Sequence, residues 1–112
     1  MQVLKFGGSS VGSAEAINQM IAIVITSIPK EKTIVVVSAM SGVTDQLIML
    51  AQTAAQGNEA YKTIIQNIEQ KHLDTVRALL PIQQQSGTLS LVKQLINELE
   101  TNCEGLFMLK EL

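Results

Sequence analysis

Two short apolar segments and four longer periodic ones alternate along the chain. Residues 3–6 are apolar apart from one lysine and stop at Gly7 and Gly8, and residues 33–37 form a β-branched run without polar alternation. Such runs predict buried strands, the second of them covered on both faces as in a parallel sheet. Between them, residues 13–28 carry apolar side chains at three- and four-residue steps, which predicts a helix and completes a βαβ unit. The apolar stripe of this helix consists of Ile17, Met20, Ile21, Val24 and Ile28.

Three further helices are predicted after the second strand. The first begins at a cap formed by Ser41 or Thr44 and ends near residue 56, because Gly57 and Asn58 follow it. The other two each carry one apolar stripe on a helical repeat. They cover about residues 59–80, with the stripe Tyr61, Ile65, Ile68, His72, Val76 and Leu79, and about residues 88–110, with the stripe Val92, Leu95, Leu99, Cys103 and Leu106.

Residues 82–87 separate the last two predicted helices. They contain three consecutive glutamines followed by Ser86 and Gly87, and this composition predicts a linker. No repeat, long low-complexity tract or internal boundary is visible in the sequence. The pattern therefore predicts one α/β domain over residues 1–112.

Glycine is concentrated in the two loops that follow the predicted strands. Gly7, Gly8 and Gly12 lie in the first loop, and Gly42 lies in the second. In an open α/β sheet, ligands bind beyond the carboxyl ends of the strands, so both loops should border one site. The bare backbone at Gly7 and Gly8 would let a phosphate approach, and successive amides can form an anion-binding nest.

Lysine and hydroxyl side chains surround these glycines. Lys5 offers a compact charge, Ser9 and Ser10 offer hydroxyl donors, and the second loop adds the hydroxyls of Ser38 and Thr44. Phosphoryl transfer requires little beyond positioning and charge stabilisation, so the set indicates a phosphate site. It matches neither the Walker loop nor the dinucleotide-binding glycine pattern. The structural alternative is a tight turn at the glycines, a solvent-facing lysine and ordinary helix capping by the serines.

Composition excludes several classes of function. The chain is 46% hydrophobic and 16% charged, as expected of a small globular domain, and its net charge of −2 with 3% aromatic residues argues against nucleic acid as a partner. No apolar run approaches the ~20 residues of a membrane span. The lack of a leader-like start predicts a cytoplasmic protein.

His72 and Cys103 are the sole histidine and the sole cysteine of the chain. Two such residues are too few for a zinc site built by the protein, so we predict no protein-held metal. Both fall on apolar helix stripes, which predicts a partly buried histidine and a buried thiol with structural roles.

The sequence of the first loop, Lys5-Phe6-Gly7-Gly8-Ser9-Ser10-Val11, together with residues 36–45, resembles the start of the aspartokinases of the amino-acid-kinase family. The resemblance implies a three-layer α/β fold of which this chain holds the first βαβ unit and the following long helices. It also implies transfer of the γ-phosphoryl group of ATP to the side-chain carboxylate of L-aspartate, with magnesium bound through the nucleotide. One departure is Ser9, where the family usually has threonine.

The resemblance assigns roles to residues of both loops. Lys5 and Ser38 would be catalytic, and Thr44 would help Ser38 to hold aspartate. The phosphate-binding residues would be Lys5, Gly7, Gly8, Ser9, Ser10 and Gly42.

The family continues well beyond 112 residues, which predicts that this chain is the amino-terminal part of an aspartokinase catalytic domain. Its long paired helices also resemble aspartokinases fused to homoserine dehydrogenase. We expect such a piece to be inactive alone, to expose apolar surface and to form homo-oligomers, with exchange of elements between copies as one route. Two alternatives are a helical binding or oligomerisation module without catalysis, and an amino-acid-kinase relative with another acceptor.

Overall fold

The computed structural model describes residues 1–110. Within this range the chain forms two strands, four α-helices and one 3₁₀ turn. In chain order these are β1 (Gln2–Phe6), α1 (Ala14–Ser27), β2 (Thr33–Val37), α2 (Val43–Ala55), α3 (Tyr61–Leu79), the 3₁₀ turn (Ile82–Gln84) and α4 (Gln85–Lys110).

The two strands pair in parallel, as the sequence predicts. Their register runs from Gln2 opposite Thr33 to Phe6 opposite Val37. The intervening helix α1 is capped at its N-terminus by Ser13, whose Oγ accepts a hydrogen bond from the Ala16 amide at 3.1 Å. The βαβ unit is therefore confirmed, and the bounds of β2 are those predicted.

Neither face of β2 is fully covered within the part of the chain that the structure describes. The four side chains from Ile34 to Val37 are each 39–54% exposed. No residue of α1 is buried, and Ile21 and Ile28 of its predicted stripe lie exposed. The reason is that a sheet of two strands offers α1 too little surface to cover, and no other element lies on the opposite face within residues 1–44. The expected exposure of apolar sheet and helix surface is confirmed.

Helix α2 ends where glycine allows a left-handed turn. Gly57 has φ +73°, and the amide of Asn58 donates to the Thr53 carbonyl at 3.1 Å. This is the C-terminal arrangement that glycine favours because it has no Cβ. The Oδ1 atom of Asn58 then accepts from the Ala60 amide at 2.9 Å, just before α3 begins.

A single apolar cluster holds the helices of the second half together. Tyr61 of α3 lies against Phe107 of α4, with ring centroids 5.4 Å apart, and Lys93 Nζ meets Glu69 Oε2 at 3.3 Å across the same pair of helices. The buried members of the cluster are Leu50, Ala54, Tyr61, Ile65, Ile68, Ile96 and Cys103.

Two of the predicted stripes differ in part from the buried faces. In α3 the predicted Tyr61, Ile65, Ile68 and Val76 are buried. Leu73 is buried as well, whereas His72 and Leu79 are half-buried. In α4, Leu95 is 55% exposed whereas Ile96 is 8% exposed, and Leu106 is exposed as well. The α4 face that meets the cluster passes through Val92, Ile96, Leu99, Cys103 and Phe107.

The predicted linker over residues 82–87 is also wrong. A 3₁₀ turn occupies its first half, and α4 begins at Gln85, with Gly87 inside the helix. The Gln85 side-chain amide donates to the carbonyls of Leu80 at 2.7 Å and Arg77 at 3.2 Å. These bonds cap the end of α3 and fix the start of α4 directly behind it.

The chain divides into two compact units, one over Met1–Thr44 and one that starts at Asp45. The first holds β1, α1, β2 and both glycine-bearing loops, and the second holds the helical cluster. None of the helices within residues 1–110 is both long and apolar enough to cross a membrane.

Candidate functional site

The parallel strands deliver their two loops side by side. The Ser38 amide donates to the Phe6 carbonyl at 3.1 Å, so the sheet ladder continues one residue beyond β2. The Ser38 hydroxyl donates to the same carbonyl at 3.4 Å. Ser38 is thereby fixed next to the start of the first loop, as the sequence predicts for two loops at one sheet edge.

Gly8 and Gly12 bring the first loop into contact with the second. A Cβ atom on Gly8 would lie 3.3 Å from the Ala39 carbonyl oxygen, and one on Gly12 would lie 3.0 Å from Ser41 Cβ and from the Gly8 carbonyl oxygen. Both glycines therefore permit a close approach of backbone. The sequence predicted phosphate binding for Gly8 and no role for Gly12. It did not predict their packing role, because a contact between loops about 30 residues apart leaves no local signal in the sequence.

Gly7 and Gly42 have open space instead. A Cβ on either would meet no atom within 4 Å. The Gly7 carbonyl accepts from the Ser10 amide at 3.0 Å and closes a turn, while Gly42 has φ +83°, a left-handed conformation that favours glycine. Gly42 thus has a conformational reason to be glycine, whereas the surroundings of Gly7 would accept a side chain.

Lys5 lies exposed on β1, on the strand face opposite Leu4 and Phe6 because side chains alternate along a strand. Ser9 and Ser10 line a cavity of about 240 Å³ between the first loop and α1. Phe6 forms part of the same cavity. The two serines therefore line a space on the Phe6 side of the strand, away from the Lys5 side chain.

Val11 in the first loop and Val43 at the start of α2 are buried, at 6% and 4% exposure. Sequence reasoning missed both. The available signal is that each is a lone apolar residue among small polar ones, in a position that packing explains better than solvent exposure does. Thr44 follows Val43 directly and is exposed in the first turn of α2.

Comparison with known proteins decides the family. The model of the amino acid kinase family matches residues 1–109. This chain belongs to the amino acid kinase family. It is 32% identical to a chloroplastic bifunctional aspartokinase/homoserine dehydrogenase 1 of Zea mays over 95% of the chain, and 36% identical to the chloroplastic aspartokinase 3 of Arabidopsis thaliana over 98% of the chain. An aspartokinase of Rickettsia prowazekii is 43% identical over 58 residues, which is 51% of the chain.

The chain spans 11% and 19% of the length of these two plant proteins, and its match covers 13% of the rickettsial one. The resemblance to aspartokinases is confirmed, and the mixed α/β architecture agrees with membership of the amino acid kinase family.

The two loops of this family member carry a donor set suited to a nucleotide phosphate. Residues 7–12 and 38–44 contain no carboxylate side chain. The two loops offer backbone amides, four glycines and hydroxyl groups, and Lys5 is a cation on the adjoining strand β1, on the face away from Ser9 and Ser10. These residues fit the oxygens of a phosphate chain, and any magnesium would have to be held by the nucleotide itself.

His72 and Cys103 lie in the unit that starts at Asp45. The Nδ1 atom of His72 lies 2.7 Å from the Ile68 carbonyl oxygen, one helical turn back, which fits a tautomer that donates from this nitrogen. Cys103 is 3% exposed, and burial raises the pKa of its thiol above the ordinary value because desolvation disfavours the thiolate. The structural roles predicted for both residues agree with these positions.

Proposed function

We propose that this chain forms the phosphate-binding part of an aspartate kinase. The reaction moves the γ-phosphoryl group of ATP to the side-chain carboxylate of L-aspartate and yields 4-phospho-L-aspartate, the first step towards lysine, threonine, methionine and isoleucine. The observation that carries the proposal is the close contact of the two glycine-bearing loops beyond parallel strands. Family membership and the names of the relatives support the same reaction.

Lys5 would stabilise the transferring phosphoryl group. An ammonium is a compact charge, and a phosphoryl group that carries negative charge on three oxygens is stabilised mainly by positioning and electrostatics. The open space around Gly7 supports a backbone position that phosphate oxygens approach. The acceptor carboxylate is already ionised at neutral pH, so the reaction needs no general base from this chain.

Ser38 and Thr44 would hold aspartate, and the amides of Gly8 and Gly42 would complete the contacts to phosphate. Two observations support Ser38 in this role. Its backbone is fixed by the sheet ladder, and its exposed side chain lies beside the first loop. Groups that are held before the substrate arrives accelerate reactions by orientation, and a displacement of ~1 Å can cost about 10²-fold in rate. We expect no turnover from this chain alone, which spans 11% and 19% of the length of the two plant relatives.

The direct test is a titration of Mg·ATP into the chain, followed by backbone amide shifts in NMR. We expect saturable shifts at Gly7, Gly8 and Gly42. In the Lys5→Ala variant these shifts should require at least tenfold more nucleotide, whereas the exposed Lys30→Ala control should behave as the unaltered chain does. Absence of shifts in a folded sample would contradict the proposal and favour the non-catalytic helical module.

A second titration identifies the acceptor. With Mg·ATP present, L-aspartate should shift the amide signals of Ser38 and Thr44. L-glutamate, which has one more methylene, should need at least a tenfold higher concentration to produce the same shifts. The Thr44→Val variant, which keeps the shape and loses the hydroxyl, should weaken the aspartate response alone. Equal responses to the two amino acids would favour an amino acid kinase with another acceptor.

A further inference from the structure

Ser41 forms the corner of a tight turn in the second loop. The Val43 amide donates to the Met40 carbonyl at 3.0 Å, so Ser41 and Gly42 are the central residues of this turn. Gly42 has φ +83°, the left-handed conformation that a type II turn requires at its third position. Because a hydrogen bond closes the turn, a shift of the backbone at Ser41 carries the Gly42 amide with it.

Gly12 packs against that corner from the first loop. A Cβ atom on Gly12 would lie 3.0 Å from Ser41 Cβ, closer than the ~3.5 Å at which two carbon atoms attract each other best. It would also lie 3.0 Å from the Gly8 carbonyl oxygen and 3.4 Å from the Ser9 carbonyl oxygen. The absence of a side chain at Gly12 therefore lets the two loops lie at their present distance.

Hydrogen bonds hold the first loop in place at Gly12. The Gly12 amide donates to the Ser9 carbonyl at 3.3 Å, and the Ser10 amide donates to the Gly7 carbonyl at 3.0 Å. Two overlapping turns thus lead to Gly12, and α1 begins shortly after it. Movement of Gly12 would disturb these turns, so we expect a side chain at this position to displace the turn of the second loop instead.

We propose that Gly12 is a positioning residue for phosphoryl transfer, and that it acts through Ser41 and not by contact with either substrate. Its missing side chain sets how close the Gly42 amide and the Thr44 hydroxyl lie to the first loop. The proposal rests on the aspartate kinase function proposed above, because Gly42 and Thr44 are assigned there to phosphate and to aspartate. In this arrangement a substitution in the phosphate loop changes the binding of aspartate at the other loop.

The expected size of the effect follows from the distances. A Cβ on Gly12 would push Ser41 Cβ away by about 0.5 Å before the two atoms reached an ordinary separation. A displacement of ~1 Å can cost about 10²-fold in rate, so half of it corresponds to about tenfold on the same logarithmic scale. We therefore expect a loss of about tenfold where both loops must contact the substrates together.

The ligand-free chain tests the positioning without any substrate. In NMR, Gly12→Ala should shift the amide signals of Gly42 and Val43. The control Gly105→Ala adds a methyl group in open space on α4 and should leave those signals in place. Shifts confined to residues 7–13 in Gly12→Ala would overturn the proposal. The unaltered chain should also show a nuclear Overhauser contact between Gly12 Hα and Ser41 Hβ, and the absence of this contact would overturn the proposal as well.

Aspartate binding in the presence of Mg·ATP tests the effect on the site. The L-aspartate concentration that half-saturates the Thr44 shift should rise about tenfold in Gly12→Ala. Adding Ser41→Gly should recover at least threefold of this loss, because it removes the Cβ that the new methyl group meets. The recovery should be partial, since the Gly8 carbonyl oxygen still crowds the methyl group. In the unaltered chain, Ser41→Gly removes a contact and should instead raise the concentration at least threefold.

This reversal of sign separates positioning from a general loss of stability, which Ser41→Gly would worsen in both backgrounds. Equal signs, or unchanged aspartate binding in a folded Gly12→Ala, would overturn the proposal. If Gly12→Ala does not fold, the Overhauser contact and the effect of Ser41→Gly in the unaltered chain decide, and the lack of either one would overturn it. If the unaltered chain binds neither Mg·ATP nor L-aspartate, the proposed function fails, and the ligand-free shifts then decide whether Gly12 positions the second loop.

Discussion

At the scale of single residues, Gly7 and Gly8 are adjacent and identical but serve different purposes. Gly8 faces the Ala39 carbonyl, and Gly7 faces open space. We predict that Gly8→Ala lowers the free energy of unfolding by about 1 kcal/mol, because a well-packed contact must open. Gly7→Ala should leave it unchanged or raise it by up to ~1 kcal/mol through the unfolded state. Urea unfolding of both variants measures the difference, and equal losses would contradict it.

The same pair separates folding from binding. If the backbone of Gly7 contacts phosphate oxygens, Gly7→Ala should weaken the binding of Mg·ATP at least tenfold although it does not lower the free energy of unfolding. The ladder-bonded Ser38 offers the comparison, because Ser38→Ala should affect the response to aspartate and leave the response to Mg·ATP largely unchanged. An unaltered nucleotide response in Gly7→Ala would assign this glycine to the turn alone.

Cys103 gives a prediction with a defined pH sign. Since burial raises the pKa of the folded thiol, the unfolded chain ionises this group first as pH rises. The stabilising effect of Cys103 is thus fully present below about pH 8.5 and declines above it. Cys103→Ala should remove that decline, as measured by urea unfolding at several pH values. A decline of equal size in both proteins would assign it to other groups.

At the scale of elements, β2 and α4 differ in how much of each could be predicted from the sequence alone. The β-branched run at 33–37 predicted β2 to the residue, because a run with turn residues on both sides is a local signal. The start of α4 was missed, since it depends on the bonds from Gln85 back to the end of α3. The buried stripe of α4 was misplaced because two apolar stripes overlap and only the position of α3 selects one.

Neighbouring residues of α4 test that selection. We predict that Ile96→Ala lowers the free energy of unfolding by about 2–4 kcal/mol, because it leaves a cavity in the helical cluster. Leu95→Ala, which removes a side chain of similar size from an exposed position, should change it by less than about 0.5 kcal/mol. Thermal or urea unfolding measures both. A larger loss of stability in Leu95→Ala than in Ile96→Ala would instead support the buried stripe predicted from the sequence.

At the scale of the whole molecule, the two compact units bury very different cores. Val11 and Val43 are the buried apolar residues within 1–44, whereas the described residues from 45 to 110 bury nine, the fully enclosed Leu50 among them. Amide exchange tracks such differences, because segments with few buried contacts open at lower free energy. At low protein concentration we predict the slowest exchange in α3 and α4 and faster exchange in β1 and β2. The reverse order would contradict the division.

The candidate site, like the fold, could be predicted from the sequence only in part. The sequence placed Lys5, Ser38 and the loop glycines at one sheet edge, because strand order and glycine positions are local signals. It did not show which glycines serve packing and which face open space, or that Ser9 and Ser10 line a cavity beside α1. Those facts depend on distances between segments far apart in sequence.

The hydrogen bonds that fix Ser38 to Phe6 have an entropic consequence. Fixing the backbone of one residue costs about 1–2 kcal/mol, and at Ser38 the sheet ladder meets this cost during folding. A ligand that binds at Ser38 therefore loses none of its affinity to ordering that residue. A contact at this end of β2 should thus contribute more to affinity than an equal contact to a residue that the ladder does not hold.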